Sequence, residues 1–256
     1  MKAPRIAIIV SILAASAAGQ DVFKVAPQAY KLQFDNEWVR VTRVRYGPYE
    51  KIAAHEHTPT ASAYVYLNNS GPVVFKHIDA DYGDVTRVPT KAGSFRLYRG
   101  LAELHEVENK SSIPSEFLRV EFKTEPVNEK SLRGKFFRGD YPPGENYQKV
   151  QFENEQIRIT RLVCAAGREI DVSASASEPA LLIALSPADL RASGSNGNSA
   201  KVKLGLGQER WVAANQQERL ENVGRLPAEM LRFDFKTRPL SKEALEKMKR
   251  HEHPKN

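Results

Sequence analysis

Short runs rich in Val, Tyr, Phe and Thr alternate with polar turns along most of the chain. The runs WVRVTRVRY, SAYVYL, VVFKHI, SFRLYR and LRVEFKT have the composition of strands, and some of them alternate between apolar and polar positions. Clusters of Gly, Pro, Asn and Asp, such as YGPYE, NNSGP, DADYGD and PTKAG, separate these runs. Regularly spaced short strands with turns between them predict an all-β fold of the closed-barrel or jelly-roll type.

The N-terminal segment departs from this pattern. Residues 1–19 combine two basic residues, Lys2 and Arg5, with an apolar run over 6–13 and small residues over 16–19. This order is typical of a secretory signal peptide, and the apolar run is too short to span a bilayer. We therefore expect an exported protein, periplasmic or extracellular, with no membrane anchor after the signal is removed.

The basic excess of the chain is concentrated at its C-terminal end. The formal net charge is +7, and residues 236–256 alone hold seven Lys or Arg and three Glu. Within this end, SKEALEKMKRHEH favours a short helix that Ser241 can cap. Because nucleic-acid-binding domains present a basic face on their folded body, this distribution argues against a nucleic-acid partner.

Two pairs of matching stretches indicate that the chain contains a duplicated unit. QFDNE within 30–44 matches QFENE within 147–162 at an offset of 118 residues. FLRVEFKTEPVNEK (117–130) matches MLRFDFKTRPLSKE (230–243) at an offset of 113 residues. A repeat of about 100 residues predicts two tandem domains rather than a solenoid.

The duplication divides the chain into predicted parts. These are a signal peptide (1–19), a first domain (20–127), a linker (128–146), a second domain (147–239) and a basic tail (240–256). The linker is assigned because RGKFFRGDYPPGEN is polar and rich in turn residues.

Four of the six histidines lie in two HEH tripeptides, at 55–57 and 251–253. Residues i and i+2 of a strand point to the same face with Cα atoms about 6.5 to 7 Å apart, so two imidazoles there can converge on one metal ion. In a helix the same two positions lie on nearly opposite sides. Because the first tripeptide lies in a β-rich unit, His55 and His57 are candidate metal ligands. The second tripeptide ends a charged helix and is expected to be exposed and inert.

The second unit lacks the histidines of the first. Ser173 and Ser175 occupy the positions of the first HEH pair, and Glu218 stands opposite His105. A fold that is built without these histidines does not need them for packing. Their joint presence in one unit therefore indicates a shared metal site.

The order of these residues resembles the cupin superfamily. An HxH, a hydrophobic strand, a glycine and then H-x-x-x-N follow one another, from Gly47 through the first HEH and from Gly93 or Gly100 through His105. With two copies, residues 23–238 resemble a bicupin whose second domain is degenerate. The resemblance implies two tandem double-stranded β-helix barrels, with a divalent transition metal (Fe, Mn, Ni, Zn or Cu) held in the first.

Two departures from the cupin pattern affect the ligand set. Cupins usually supply a glutamate four or five residues after the second histidine, where this chain has Ala61 and Ser62, and their P-x-G-x-x-H is replaced by RGLAELH. Glu103 is a substitute carboxylate ligand if its segment is extended, and a water-facing loop acid otherwise. Three imidazoles alone would resemble the three-histidine cupins, which include iron-dependent dioxygenases.

Residues near the candidate ligands leave further alternatives open. His77, near a turn, either approaches the site or is an ordinary strand-end histidine. In SFRLYRG, one alternating set should line the barrel interior. If that set is Arg96 with Tyr98, Arg96 can hold a carboxylate substrate by paired hydrogen bonds. Otherwise the two are a solvated face.

Two functions fit these observations. The first is an exported metalloenzyme, of the dioxygenase type, that acts on a small organic molecule. The second is a non-catalytic protein that binds a small ligand or a metal, with the second unit structural or forming a homodimer surface. The predicted partner is a small molecule in either case.

Overall fold

A computed structural model of the protein describes residues 21–78, 83–101, 103–195 and 197–250. The predicted signal peptide (1–19) and the second HEH (251–253) lie outside the described residues. The described part of the chain consists almost entirely of antiparallel strands, so the predicted all-β fold is confirmed.

The first half of the chain forms two sheets. Its strands are β1 (Tyr30–Asp35), β2 (Val39–Tyr46), β3 (Lys51–His57), β4 (Ser62–Tyr66), β5 (Val73–His77), β6 (Val85–Arg87), β7 (Phe95–Tyr98), β8 (Glu103–Asn109), β9 (Ser115–Phe122) and β10 (Gly134–Phe136). The larger sheet has the order β1-β2-β9-β4-β7-β10, and the smaller sheet has the order β3-β8-β5-β6. Together they enclose the first barrel.

The second half repeats this architecture. Its strands are β11 (Tyr147–Glu153), β12 (Ile157–Cys164), β13 (Glu169–Asp171), β14 (Ala180–Ala184), β15 (Ala188–Gly194), β16 (Ser199–Leu204), β17 (Glu209–Val212), β18 (Glu218–Asn222) and β19 (Ala228–Phe235). The two sheets, β11-β12-β19-β14-β17 and β13-β18-β15-β16, reproduce the order of β1 to β9 strand for strand. The duplicated sequence therefore folds into two barrels of one topology.

The short helical elements lie at the margins of the barrels. They are α1 (Val22–Val25), a 3₁₀ turn (Glu129–Ser131) and α2 (Lys242–Arg250). The predicted cap of the C-terminal helix is present, since the Ala244 amide donates to Ser241 Oγ at 3.1 Å. In the portion that the structure covers, no helix has both the length and the apolar character needed to cross a membrane.

The predicted linker is more than a connection. It contains the 3₁₀ turn and also β10, which pairs with β7 and extends the larger sheet of the first barrel. Phe136 on β10 stacks on Phe95 with ring centroids 4.6 Å apart. The linker therefore covers part of the first barrel.

The two larger sheets pack face to face on a shared apolar core. Val41, Phe95 and Phe122 of the first half belong to the same cluster as Ile159 and Phe233 of the second half. This arrangement gives each larger sheet two covered faces, one toward the partner barrel and one toward its own barrel interior.

The shared core decides the phase of the strand SFRLYRG. Phe95 and Leu97 are buried in that core, so Arg96 and Tyr98 point into the first barrel and line a cavity there. The alternative of a solvated face for Arg96 and Tyr98 is therefore wrong, because the other side of the strand is covered by the second barrel.

Candidate metal centre

The smaller sheet of the first barrel places its histidines side by side. On β8, His105 pairs with His55 of β3 on one side and with His77 of β5 on the other. Two residues further along the same pair of strands, Glu103 pairs with His57. Directly paired residues share a face of the sheet, so these five side chains form one group on the inner face.

Three of the imidazoles lie close enough to share one ion. The ring centroid of His55 lies 4.9 Å from that of His57 and 4.8 Å from that of His105. The ring centroids of His57 and His105 are 5.3 Å apart. One nitrogen from each of the three lies within 4.8 Å of the others. Ligand atoms about 2 Å from a common ion lie at most about 4 Å apart, so small rotations of these rings suffice to bring the three nitrogens onto one ion.

The barrel interior keeps these imidazoles neutral. His55 and His105 are almost fully buried, at 0% and 1% exposure. Burial lowers the pKa of His55 to about 4 and holds the pKa values of His57 and His105 well below their ordinary value. Neutral imidazole is the form that binds metals, so all three side chains are in the ligand state at neutral pH.

The hydrogen bonds of His55 leave one nitrogen with a lone pair. Nδ1 lies 2.8 Å from the Ala53 carbonyl, which can only accept, so Nδ1 carries the proton. Nε2 therefore accepts the hydroxyl proton of Tyr30, at 3.0 Å. The Tyr30 hydroxyl also lies 2.7 Å from the Tyr46 hydroxyl, an alternative partner when an ion takes the Nε2 lone pair.

His105 shows the clearest unmet bonding capacity. Neither Nδ1 nor Nε2 has a hydrogen-bond partner in the described part of the chain, although both atoms are buried. Buried polar atoms are nearly always bonded, and an orphaned one costs about 1 to 3 kcal/mol. A metal ion on one of these nitrogens supplies the missing partner, so the residues fit a metal.

Glu103 and His77 form a second group around the same imidazole. Glu103 lies on β8 with Oε2 3.7 Å from His105 Nδ1, and the His77 ring centroid lies 5.6 Å from that of His105. His77, Glu103 and His105 also offer ligand atoms within 4.8 Å of one another. The alternative of a water-facing loop acid for Glu103 is wrong, because Glu103 lies on β8 with its side chain beside His105. His77 is the last residue of β5, as the strand-end alternative has it, and its ring also approaches His105.

The second barrel carries a different arrangement at the equivalent positions. Glu218 of β18 takes the place of His105 and forms an ion pair with Arg210 of β17. Ser173 Oγ accepts a hydrogen bond from the Glu218 amide at 3.0 Å. These groups satisfy one another's charge and hydrogen-bonding capacity within the chain, so this arrangement does not require a metal ion.

Aromatic residues also distinguish the first barrel. Tyr46, Tyr64 and Tyr66 are buried in its interior, where the second barrel has Cys164, Leu182 and Ala184 at the positions 118 residues later. The sequence indicated neither Tyr30 nor Tyr46 as a neighbour of the histidines. Tyr30 aligns with Gln148 once the strand register is known, so only a comparison of the two copies in register signals it.

Two arginines near the histidines were also missed in the sequence. Arg87 of β6 and Arg119 of β9 are buried, and each leaves Nε and Nη1 without an acceptor among the residues that the structure covers. Arg119 retains an ion pair with Glu121 at 3.5 Å. In a linear sequence both arginines occupy alternating strands, a setting in which an arginine usually faces water.

Cavities flank the histidines on two sides. One, of about 500 Å³, is lined by Tyr30, His57 and Arg119 among other residues. The other, of about 400 Å³, is lined by His77, Glu103 and several aromatic and basic residues described below. These volumes are in the range of small-molecule sites in proteins.

Comparison by sequence finds no relative. No family model matches the chain, and none of the curated proteins matches it.

Comparison by structure finds proteins with two-barrel and cupin architecture. A cupin 2 conserved barrel domain protein from Leptotrichia buccalis has a TM-score of 0.51 and 14% identity, over 81% of this chain and 88% of that chain. Bacillus subtilis oxalate decarboxylase has a TM-score of 0.53 and 12% identity, over 84% and 77%. A mutant of salicylate 1,2-dioxygenase from Pseudoaminobacter salicylatoxidans has a TM-score of 0.52 and 14% identity, over 78% and 71%.

Identity this low carries the fold and not the activity. The matched share includes most of both barrels, and the repeated strand order is that of two complete barrels in tandem. The chain therefore has the bicupin fold, as the resemblance in its sequence implied.

Proposed function

We propose that the first barrel binds a divalent transition-metal ion through His55, His57 and His105, and that this centre acts on a small organic molecule. The observation that carries the proposal is the buried imidazole of His105, whose two nitrogens have no hydrogen-bond partner in the described part of the chain. The neutral state of all three imidazoles at neutral pH supports it further.

The second barrel supports a functional rather than a structural origin for this group. It builds the same strand order with Ser173, Ser175 and Glu218 at the equivalent positions. The histidines are therefore not a requirement of the fold, and selection for binding explains their joint presence in one barrel.

We further propose that the reaction is of the dioxygenase type. An ion held by three neutral nitrogens keeps its full charge and open coordination positions, so it would supply Lewis acidity or activate dioxygen. Proteins of the same fold include a salicylate 1,2-dioxygenase and an oxalate decarboxylase with Mn(II) centres. The buried barrel wall would exclude water, and Ala53 would orient His55 through its Nδ1 proton.

Export to the periplasm or the exterior is also proposed, from the signal-like order of residues 1–19. Amino-terminal sequencing of protein recovered from the extracytoplasmic fraction tests this. A mature chain that begins near residue 20 supports export, and a chain that retains Met1 and stays in the cytoplasm contradicts it.

Elemental analysis tests the metal site, and the chain supplies a matched control. We expect purified wild-type protein to carry about one transition-metal ion per chain, and the double variant His55→Ala, His57→Ala to lose it, because two of the three proposed ligands are removed. The same change in the tail tripeptide, His251→Ala with His253→Ala, should leave the metal content unchanged. Equal metal content in the two double variants would sink the proposal.

Oxygen consumption then tests the catalytic part. Protein reconstituted with Fe²⁺ or Mn²⁺ should consume dioxygen in the presence of small aromatic or dicarboxylic acids, and the His55, His57 double variant should not. Retained metal without turnover of any such compound would leave a binding protein and exclude the dioxygenase proposal for these substrates.

A further inference from the structure

Arg87 is a buried cation enclosed by aromatic rings. Its side chain is at the end of β6, and the residue is only 3% exposed. The guanidinium carbon lies 4.5 Å from the ring centre of Phe75, 5.0 Å from that of Phe117 and 5.1 Å from that of Tyr64. Such contacts stabilise a cation only partly, because an aromatic face carries no full negative charge.

No carboxylate pairs with Arg87 within the described ranges of the chain, and its Nε and Nη1 have no acceptor there. The other two buried arginines of the described residues do have acid partners, since Arg161 pairs with Glu229 at 2.5 Å and Arg119 pairs with Glu121 at 3.5 Å. The half-buried Arg232 likewise pairs with Asp234 at 2.7 Å. Buried charges in proteins are normally paired, so Arg87 is the exception that calls for an anion.

The cavity beside Arg87 has the charge and shape to receive one. Its volume is about 400 Å³, and among the described residues its charged lining includes Arg87, Arg96 and Arg99 against one carboxylate, that of Glu103. Its walls include Tyr64, Phe75 and Tyr98, of which Tyr64 and Tyr98 have ring centroids 4.4 Å apart. The cavity thus combines basic groups with apolar, planar walls.

The cavity is next to the candidate metal ligands. Phe75, which Arg87 covers on one side, lies 5.3 Å from His105 between ring centroids. Glu103 and His77 line the cavity and also belong to the group around His105. A molecule bound in this cavity would lie beside the histidines.

The fold itself does not need an arginine at this position. Strand register places Val202 of the second barrel at the position of Arg87, since Arg87 pairs with Val73 and Val202 pairs with Leu190. Similarly, the counterpart of Arg96 is Arg210, which is held by Glu218 within the chain. At these two described positions the first barrel has basic groups available to a ligand, whereas the second barrel has a valine and a paired arginine.

We propose that this cavity binds a small organic carboxylate, with the acid group on Arg87 and a planar or apolar body against Tyr64, Phe75 and Tyr98. The aromatic walls favour an organic acid over an inorganic anion, which would leave them without a partner. This inference rests on the proposed function, since it names the substrate class of the same site.

Calorimetric titration of metal-free protein tests the proposal independently of the metal. The probes are benzoate, acetate and phosphate, together with benzamide, which has the shape of benzoate without its charge. We expect saturable benzoate binding to wild-type protein. The affinity should fall about tenfold or more in Arg87→Val, because a charge-assisted hydrogen bond is lost.

Matched variants separate charge from structure. Arg87→Val carries the residue that the second barrel has at this position, and Arg87→Lys retains the charge and part of the affinity. The control is Arg191→Val on β15 of the second barrel, which removes an exposed arginine that pairs with Glu221. This variant should bind benzoate as the wild type does. Equal benzoate binding in Arg87→Val and wild type, benzamide binding as tight as benzoate, or tighter binding of phosphate than of benzoate would each overturn the proposal. So would the absence of saturable benzoate and acetate binding at millimolar concentration.

Thermal stability gives a second readout that a purely structural role does not predict. Because Arg87 is an unpaired buried charge, Arg87→Val should melt no lower than the wild type, and only the wild type should gain stability from added benzoate. A lower melting temperature in Arg87→Val with unchanged benzoate stabilisation would assign Arg87 to cation–π packing instead.

The two proposals fail separately. Loss of metal in Arg87→Val is not expected, since Arg87 contributes no metal-ligand atom. Conversely, His105→Ala should lose the metal and still bind benzoate. A carboxylate site without metal, or metal without a carboxylate site, therefore identifies which proposal is wrong.

Discussion

At the scale of single residues, unmet bonding capacity locates the chemistry of this protein. Glu218 and Arg210 in the second barrel satisfy each other, whereas His105 and Arg87 in the first are buried with atoms that lack a partner in the described residues. Each orphaned atom raises the free energy of the ligand-free fold, and a bound ion or anion removes that cost. The difference between the two copies thus marks where binding is expected.

Tyr30 provides a test at this scale. In metal-free protein, Tyr30→Phe removes a donor from His55 Nε2 and a partner from the Tyr46 hydroxyl, so the free energy of unfolding should fall by about 1 to 2 kcal/mol. In metal-loaded protein the loss should be smaller, because the ion then satisfies Nε2. Urea unfolding of both forms measures this difference.

The control for this prediction is Tyr49→Phe, which alters an exposed ring and should change neither form. An identical loss of stability in the metal-free and metal-loaded forms of Tyr30→Phe would show that no ion binds at His55 Nε2.

At the scale of elements, one asparagine closes the end of the central strand in each barrel. Asn109 Nδ2 donates to the carbonyls of Gly47 and Ile113 at 2.7 and 2.9 Å. Asn222 Nδ2 donates to those of Cys164 and Leu226, both at 2.8 Å. The bond pattern is the same although only β8 carries a candidate ligand.

This symmetry predicts one shared effect and one specific effect. Asn109→Ala and Asn222→Ala should each lower the free energy of unfolding by about 1 to 3 kcal/mol, because each removes a buried side chain that donates to two carbonyls. Only Asn109→Ala should also weaken metal binding, since it loosens the strand that holds His105. Metal titration alongside urea unfolding checks both effects, and equal loss of metal in Asn222→Ala contradicts the assignment to the first barrel.

The strands also explain how far the sequence alone could go. Alternation predicted the β architecture and the shared face of His55 and His57, because both depend on local spacing. The link to His105 came from comparing the two copies, which is not a local signal. The phase of SFRLYRG could not be fixed, since Phe95 faces the other barrel and Arg96 faces the cavity of the first barrel, so neither face is bulk solvent. The burial of Arg87 could not be predicted from the sequence, because its aromatic neighbours come from three other strands, β4, β5 and β9.

At the scale of the whole molecule, the buried tyrosines govern the response to alkaline pH. Burial raises the pKa of Tyr46 to about 12 and raises those of Tyr30 and Tyr64 as well. The folded protein therefore retains phenolic protons that the unfolded chain releases above about pH 10. The stability from these groups is fully present below that pH and is lost as the pH rises toward 12.

Urea unfolding between neutral and alkaline pH, followed by circular dichroism together with the ultraviolet absorbance of tyrosinate, measures this effect. We expect the stability to decline above about pH 10 and the buried rings to ionise together with unfolding. Complete tyrosinate formation while the strands remain intact would contradict the burial of these rings.

The apolar contact between the two larger sheets determines which substitutions the second barrel can accept. Phe122 of one half meets Phe233 and Phe235 of the other with ring centroids 6.3 Å apart in both cases. The second barrel thus covers an apolar surface that the first barrel would otherwise present to water. A substitution inside the second barrel leaves this contact intact, whereas a polar substitution on its packed face would expose apolar surface of both barrels to water.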